Sequence, residues 1–178
     1  MFESLLIFFL LVLFLLTSTI IWRINARKYI SSDTVASAYD AWTQDKLLER
    51  LWGEHIHLGF YPSEKKIIDF RKAKVQFVHE LVMWSGLDKL PKGSRLLDIG
   101  CGIGGSSRIL AKYYGFNVTG ITISPAQVKR ARELTPSGIN CNFQVMDALN
   151  LQFEDGSFDA VWSVEAGAHM KDKTKFAD

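Results

Sequence analysis

The stretch Asp98-Ile99-Gly100-Cys101-Gly102-Ile103-Gly104-Gly105-Ser106-Ser107 constrains the fold more than any other part of the chain. It follows the turn signal Pro91-Lys92-Gly93 and the short apolar run Arg95 to Leu97, and it leads into Arg108 to Tyr114, where apolar residues recur at helical spacing. A glycine turn therefore joins a strand to a helix, and glycine there permits backbone angles closed to other residues and lets a ligand approach the main chain. From Ser94 onward the same rhythm continues. Strands are expected over 95–99, 117–123, 142–146 and 158–164, with a helix over 125–134 that has Ser124 as its cap and Pro125 in its first turn. Such alternation predicts an α/β fold on a parallel sheet. The run Ala160-Val161-Trp162 suits a strand buried on both faces.

Gly100, Gly102 and Gly105 also satisfy the spacing of a dinucleotide-binding turn. That reading needs an acid at the tip of the second strand to hold the ribose, and Gly120-Ile121-Thr122-Ile123-Ser124 offers hydroxyls instead. Asp98, two residues before the first glycine, would repel a pyrophosphate but attract an ammonium group. The balance points to S-adenosylmethionine, with a nicotinamide cofactor and a purely structural turn as the alternatives. Asp98 and the glycines Gly100, Gly102 and Gly104 would face the methionine end, Thr122 and Gln127 the ribose, and Asp147 with Ala148 the base. All lie where successive parallel strands end, the usual ligand edge of an open α/β sheet.

Residues 5–22 form an almost unbroken apolar run without charge, about 27 Å long if helical, against a hydrocarbon thickness of roughly 30 Å. Glu3 precedes it and Arg23, Arg27 and Lys28 follow, the reverse of a cleaved secretory signal. This predicts a retained single-pass anchor within residues 1–28, the bilayer as a partner, and the remainder of the chain on the cytoplasmic side. A net charge of +2 and the lack of a basic stripe interleaved with aromatics argue against a nucleic-acid partner. Cys101 and Cys141 lack the spacing of a zinc site or a disulfide scaffold, and no metal is expected.

Between anchor and sheet, helices are expected from Ser31-Ser32-Asp33 onward, over 45–52 and over 63–85, separated by the irregular segment Trp52 to Pro62. Residues 29–90 then form a helical segment and 91–178 the first half of a cofactor domain. Ending at Asp178 would leave four strands with an uncovered edge, so a fold truncated after strand four is expected, completed by a second half.

The motifs Leu96 to Ser107, Gly120 to Gln127 and Phe158 to Met170 resemble the S-adenosylmethionine methyltransferases that act on tocopherols, sterols and lipid acyl chains. Ser31 to Asp40 and Trp52 to Gly59 resemble, more narrowly, the cyanobacterial family that methylates 2-methyl-6-phytyl-1,4-benzoquinol and its solanesyl analogue. The resemblance implies a Rossmann-like class I methyltransferase fold with a helical lid, Tyr39 near the methionine portion of the cofactor, and Trp52, His55 and His57 lining the entrance for a prenylated quinol. It also implies C-methylation in tocopherol and plastoquinone biosynthesis. His169 and Glu165, after strand four, are the candidate bases for the phenolic proton, with His55 and His57 as rivals. Methylation of another membrane lipid is one alternative. The other is a non-catalytic binding or assembly module that pairs with a separately encoded second half.

Overall fold

The structure, a computed structural model, describes residues 9–19, 31–62 and 69–177. They fall into two compact units, Met1–Thr34 and Val35–Asp178. In the first, residues 9–19 form helix α1. Among the described residues no helix is long and apolar enough to cross a membrane. The spanning helix expected over 5–22, and the single-pass anchor and cytoplasmic placement drawn from it, are therefore not supported; positions 5–8 and 20–22 lie outside the described residues. An apolar run reports hydropathy alone, and a span requires that hydropathy over about 20 residues of one helix.

The second unit is built on a four-stranded parallel sheet, β1 (Arg95–Ile99), β2 (Asn117–Thr122), β3 (Cys141–Val145) and β4 (Ala160–Trp162), in the order β3-β2-β1-β4. The chain steps outward from β1 to β3 and then returns to the other side of β1, so the strand order reverses between β1 and β4. Crevices at such reversals are where open α/β sheets take ligands. Helices α2 (Ser32–Gln44), α3 (Leu47–Trp52) and α4 (Phe70–Ser85) precede the sheet; α5 (Gly105–Tyr114) links β1 to β2, α6 (Pro125–Leu134) links β2 to β3, and the short α7 (Lys173–Ala177) comes last.

Alternation along the strands divides the core. Leu96, Val118 and Trp162 face α4 and α5, where Val78, Val82, Ile109, Leu110 and Phe116 complete one cluster. Leu97, Ile99 and Ile121 face the opposite side, packed with Met146, Phe153, Phe158 and Phe176. Phe143 on β3 meets Val128 and Ala131 of α6 and Cys101 of the glycine turn in a third cluster. Both cysteines are reduced, and burial raises both thiols above their ordinary pKa, Cys141 to about 12.

Five elements differ in their bounds from expectation: β2 ends at Thr122, one residue early, α3 begins at Leu47, two residues late, and β4, β3 and α4 differ as follows. The strand expected over 158–164 is only Ala160–Trp162, and it is an edge strand whose Val161 is 59% exposed, not a strand buried on both faces. Its apolar run reflects one buried residue, Trp162, and two that are not fully covered. The strand expected over 142–146 begins and ends one residue earlier. Helix α4 starts at Phe70 because the Asp69 carboxylate accepts from the Arg71 and Lys72 amides, which caps it. Positions 63–68 of the helix expected there lie outside the described residues.

Phe143, 1% exposed, joins α6, β3 and the glycine turn. Phe143→Ala is expected to cost about 3–5 kcal/mol, measured by urea unfolding at neutral pH. A loss below about 1 kcal/mol would show that the turn and α6 do not rest on this ring.

Candidate cofactor and catalytic site

The carboxyl end of β1 delivers Asp98 into a closed environment. It is 2% exposed, Ser107 Oγ donates to its Oδ2 at 2.5 Å, and burial pushes its pKa up to about 6 despite that bond. The turn that follows is pinned to the tip of β2, since the Gly100 and Cys101 amides both donate to the Ile121 carbonyl at 2.9 and 3.0 Å. Gly100 and Gly104 adopt left-handed φ of 78° and 80°. A Cβ on Gly100 would stand 2.5 Å from Ala166 Cβ, and one on Gly104 2.6 Å from the Phe143 ring. At Gly102, by contrast, a Cβ would point into open space, leaving the main chain open to a ligand.

The β2 tip carries a network of its own. Thr122 Oγ1 donates to Gln127 Oε1 at 2.7 Å, both side chains being buried, and the Gln127 amide donates to Ser124 Oγ, the helix cap, at 3.1 Å. Asp147, after β3, is partly buried beside Ala148, and its Oδ1 accepts from the Leu149 amide at 2.9 Å, a turn that fixes the carboxylate's direction. Asp98, Thr122, Gln127 and Asp147 thus occupy the carboxyl ends of three neighbouring strands.

Helix α2 crosses to this edge. Tyr39 Oη lies 2.9 Å from His169 Nε2, with the rings edge to face. Burial raises the Tyr39 pKa, so the phenol stays protonated and shares a hydrogen bond with the imidazole. The neighbouring Asp40 Oδ1 accepts from Ser124 Oγ at 2.5 Å and from the Ala126 amide at 3.1 Å, at the N-terminus of α6. Asp40 closes the Ser31 to Asp40 motif but receives no role from it; Ser124 is recognisable as a cap, but its partner lies 84 positions away.

Glu165 is held differently from His169. It has a left-handed φ of 58°, unusual for a side chain with a Cβ, and its Oε1 accepts from the Leu58 amide at 3.0 Å. It therefore ties the loop after β4 to the segment following α3. His55 and His57, expected at the entrance, are both 8% exposed and paired with each other. The Leu58 carbonyl lies 2.7 Å from His57 Nδ1, which therefore carries its proton, so that His57 Nε2 accepts from His55 Nδ1 at 3.1 Å. The Lys74 ammonium, also buried, donates to the His55 carbonyl at 2.7 Å. A Cβ on Gly105 would meet the His55 ring at 2.8 Å, so this pair braces the start of α5. Trp52 is half exposed, with the Lys74 ammonium 5.5 Å from its ring centre. Two ion pairs, Arg108 with Glu54 and Arg130 with Glu49, each at 2.6 Å, fasten the same region to α5 and α6.

A buried acidic side chain at a glycine turn, a polar network at the second strand tip and a carboxylate after the third are what a nucleoside cofactor with a cationic end requires. Comparison with known proteins agrees. Residues 96–177 match the family model of a methyltransferase domain. The chain is 62% identical, over 157 residues and 88% of its length, to the 2-methyl-6-phytyl-1,4-hydroquinone methyltransferase of Synechocystis, of which it covers 49%. It is 42% identical over 140 residues to the chloroplastic tocopherol O-methyltransferase of Arabidopsis thaliana, covering 73% of this chain and 40% of that protein. The chain thus spans about half or less of the length of these relatives. Among solved structures, a Haemonchus contortus phosphoethanolamine N-methyltransferase in complex with S-adenosylhomocysteine superposes with a TM-score of 0.57 at 26% identity, over 77% of this chain and 29% of that one. The fold is that of the class I methyltransferases.

Burial also depresses the His55 pKa, to about 3 from an ordinary 6.5, with the His57 ring adding to the effect. The unfolded chain therefore binds the extra proton first, so this brace stabilises the fold fully above pH 6.5 and is progressively lost as pH falls toward about 3. Asp98 has the opposite sign: its raised pKa favours the folded state as pH falls from about 6 toward 3.8. Urea unfolding between pH 7 and 4 should show a net loss of stability, and His55→Gln should remove about one proton from its slope. An unchanged slope in the variant would assign the acid sensitivity elsewhere.

Proposed function

We propose that this chain binds S-adenosylmethionine and forms the cofactor half of a C-methyltransferase whose substrate is a prenylated benzoquinol of tocopherol and plastoquinone biosynthesis. The observation that carries the reading is the 62% identity to the phytyl-hydroquinone methyltransferase over 157 residues, 88% of this chain. The Asp98 environment fits the cofactor: a carboxylate buried beside one hydroxyl gains most from a cationic partner. Asp98 and the open main chain at Gly102 would hold the methionine end, Thr122 and Gln127 the ribose, and Asp147 with Ala148 the base. When bound, the cofactor supplies an activated sulfonium methyl group. The chain's own residues then exclude water, align the ring carbon with that methyl, and take up the phenolic proton.

For the proton, the Tyr39–His169 pair supports a relay. Tyr39 oxygen accepts the substrate's phenolic proton as its own proton passes to His169 Nε2, raising electron density at the ring carbon ortho to the hydroxyl. Glu165, engaged with the Leu58 amide, acts by holding the wall of the site. The 42% identity to tocopherol O-methyltransferase supports a second reading, transfer to another membrane lipid. The polar network at the strand tips, which suffices for binding, is compatible with a third, a binding module that holds the cofactor without turnover.

Because the carboxylate form of Asp98 is needed to meet an ammonium, affinity for S-adenosylmethionine should be flat above pH 6 and fall up to tenfold per unit below it. Titration calorimetry from pH 5 to 8 measures this, and Asp98→Asn should weaken binding and abolish the dependence. Transfer of labelled methyl to 2-methyl-6-phytyl-1,4-benzoquinol tests the reaction. His169→Ala should lower kcat by roughly 10²–10⁴-fold with cofactor affinity retained. Labelling of only a tocopherol would favour the second reading, and binding with no transfer the third.

A further inference from the structure

We infer that Asp40 is a positioning residue for the cofactor, supplying through space the carboxylate that the second strand lacks at its tip; the inference rests on the cofactor reading above. Strand β2 ends in Thr122, and a hydroxyl cannot by itself fix the groups around it as an anion can. Helix α2 brings the Asp40 carboxylate to this junction, where its Oδ1 takes protons from Ser124 Oγ and the Ala126 amide. Ser124, which is fully buried, then accepts from the Gln127 amide, and Gln127 Oε1 accepts from Thr122 Oγ1. The chain of bonds Asp40–Ser124–Gln127–Thr122 thus ends on the two side chains assigned to the ribose. A carboxylate at the N-terminus of α6, a helix of ten residues, is also favoured by the helix dipole.

The position of Asp40 in sequence adds a second effect. Tyr39 beside it bonds His169 in the loop after β4, so adjacent residues of α2 grip opposite flanks of the site, one beyond β2 and one beyond β4. Loss of the Asp40 contact frees one end of this strap, which changes the setting of both Gln127 and Tyr39. The Glu49–Arg130 pair also joins the preceding helices to α6, through a side chain three positions beyond Gln127. It provides the control, since breaking it loosens packing without touching the bonded chain.

The test compares Asp40→Ala, Asp40→Asn and Glu49→Gln by S-adenosylmethionine titration and by hydrogen exchange of the cofactor-free protein. Asp40→Ala should weaken binding roughly tenfold or more, and Asp40→Asn, which keeps an acceptor, should restore part of it. Glu49→Gln should lower the unfolding midpoint with affinity unchanged. Exchange should quicken at the Ala126 and Gln127 amides and along 35–44 in Asp40→Ala. Equal affinity in wild type and Asp40→Ala, or equal loss in Glu49→Gln, overturns the positioning role. If wild type itself fails to bind, the cofactor reading falls, while the exchange data still decide whether Asp40 sets this junction: unchanged protection at 126 and 127 would sink it.

Discussion

The turn after β1 has almost no free volume, and the rest of the site depends on that. Each of its crowded glycines is fitted against a different part of the fold: Gly100 against Ala166 after β4, Gly104 against Phe143 on β3, and Gly105 against His55 after α3. The turn's shape is therefore the meeting of three distant segments with the end of β1. Its one open position, Gly102, is where the main chain remains free for a ligand. A packed support with a single open face is how a loop acquires the rigidity that binding requires.

Charge is arranged on the same plan. Asp98 is buried with a hydroxyl for company, a situation that favours its neutral form until a cation arrives. Below the turn, the neutral His55–His57 pair and the buried Lys74 ammonium satisfy one another and the main chain, so that no buried side-chain polar atom among the described residues lacks a partner. The two regions shift the fold's stability with opposite signs as pH falls. Around them, charge-assisted contacts from Asp40, Glu49 and Glu54 secure α2, α3 and the following segment to α5 and α6. Such contacts matter most where partly buried, as at Arg130 and Arg108.

Much of the sheet was legible because strand, glycine turn and capped helix are local signals: β1 and α6 occupy the residues their patterns indicate. The run at 160–162 misled because an apolar triplet reads alike in a central strand and in an edge strand with one covered face. The run at 5–22 misled for a related reason, since hydropathy reports composition alone, while a span needs about 20 apolar residues in one helix, which the described residues do not supply. The resemblance implied His55 and His57 at an entrance, and their pairing with each other, set by tertiary packing, was not legible in the sequence. Asp40 closes a recognised motif, but its role could not be read there because its partner is remote.

The sequence by itself determined the parallel α/β framework, the glycine turn after Asp98 and the polar residues at the strand tips, since each follows from short-range periodicity, backbone permissiveness and residue chemistry. Only the tertiary structure decided which of those residues act together. It joined Tyr39 to His169, turned Glu165 toward the Leu58 amide, sealed His55 beneath Gly105 and brought Asp40 to the end of β2. The physical reason is that hydrogen bonds and close packing act over a few ångströms, and the residues that satisfy them here lie tens of positions apart in the chain.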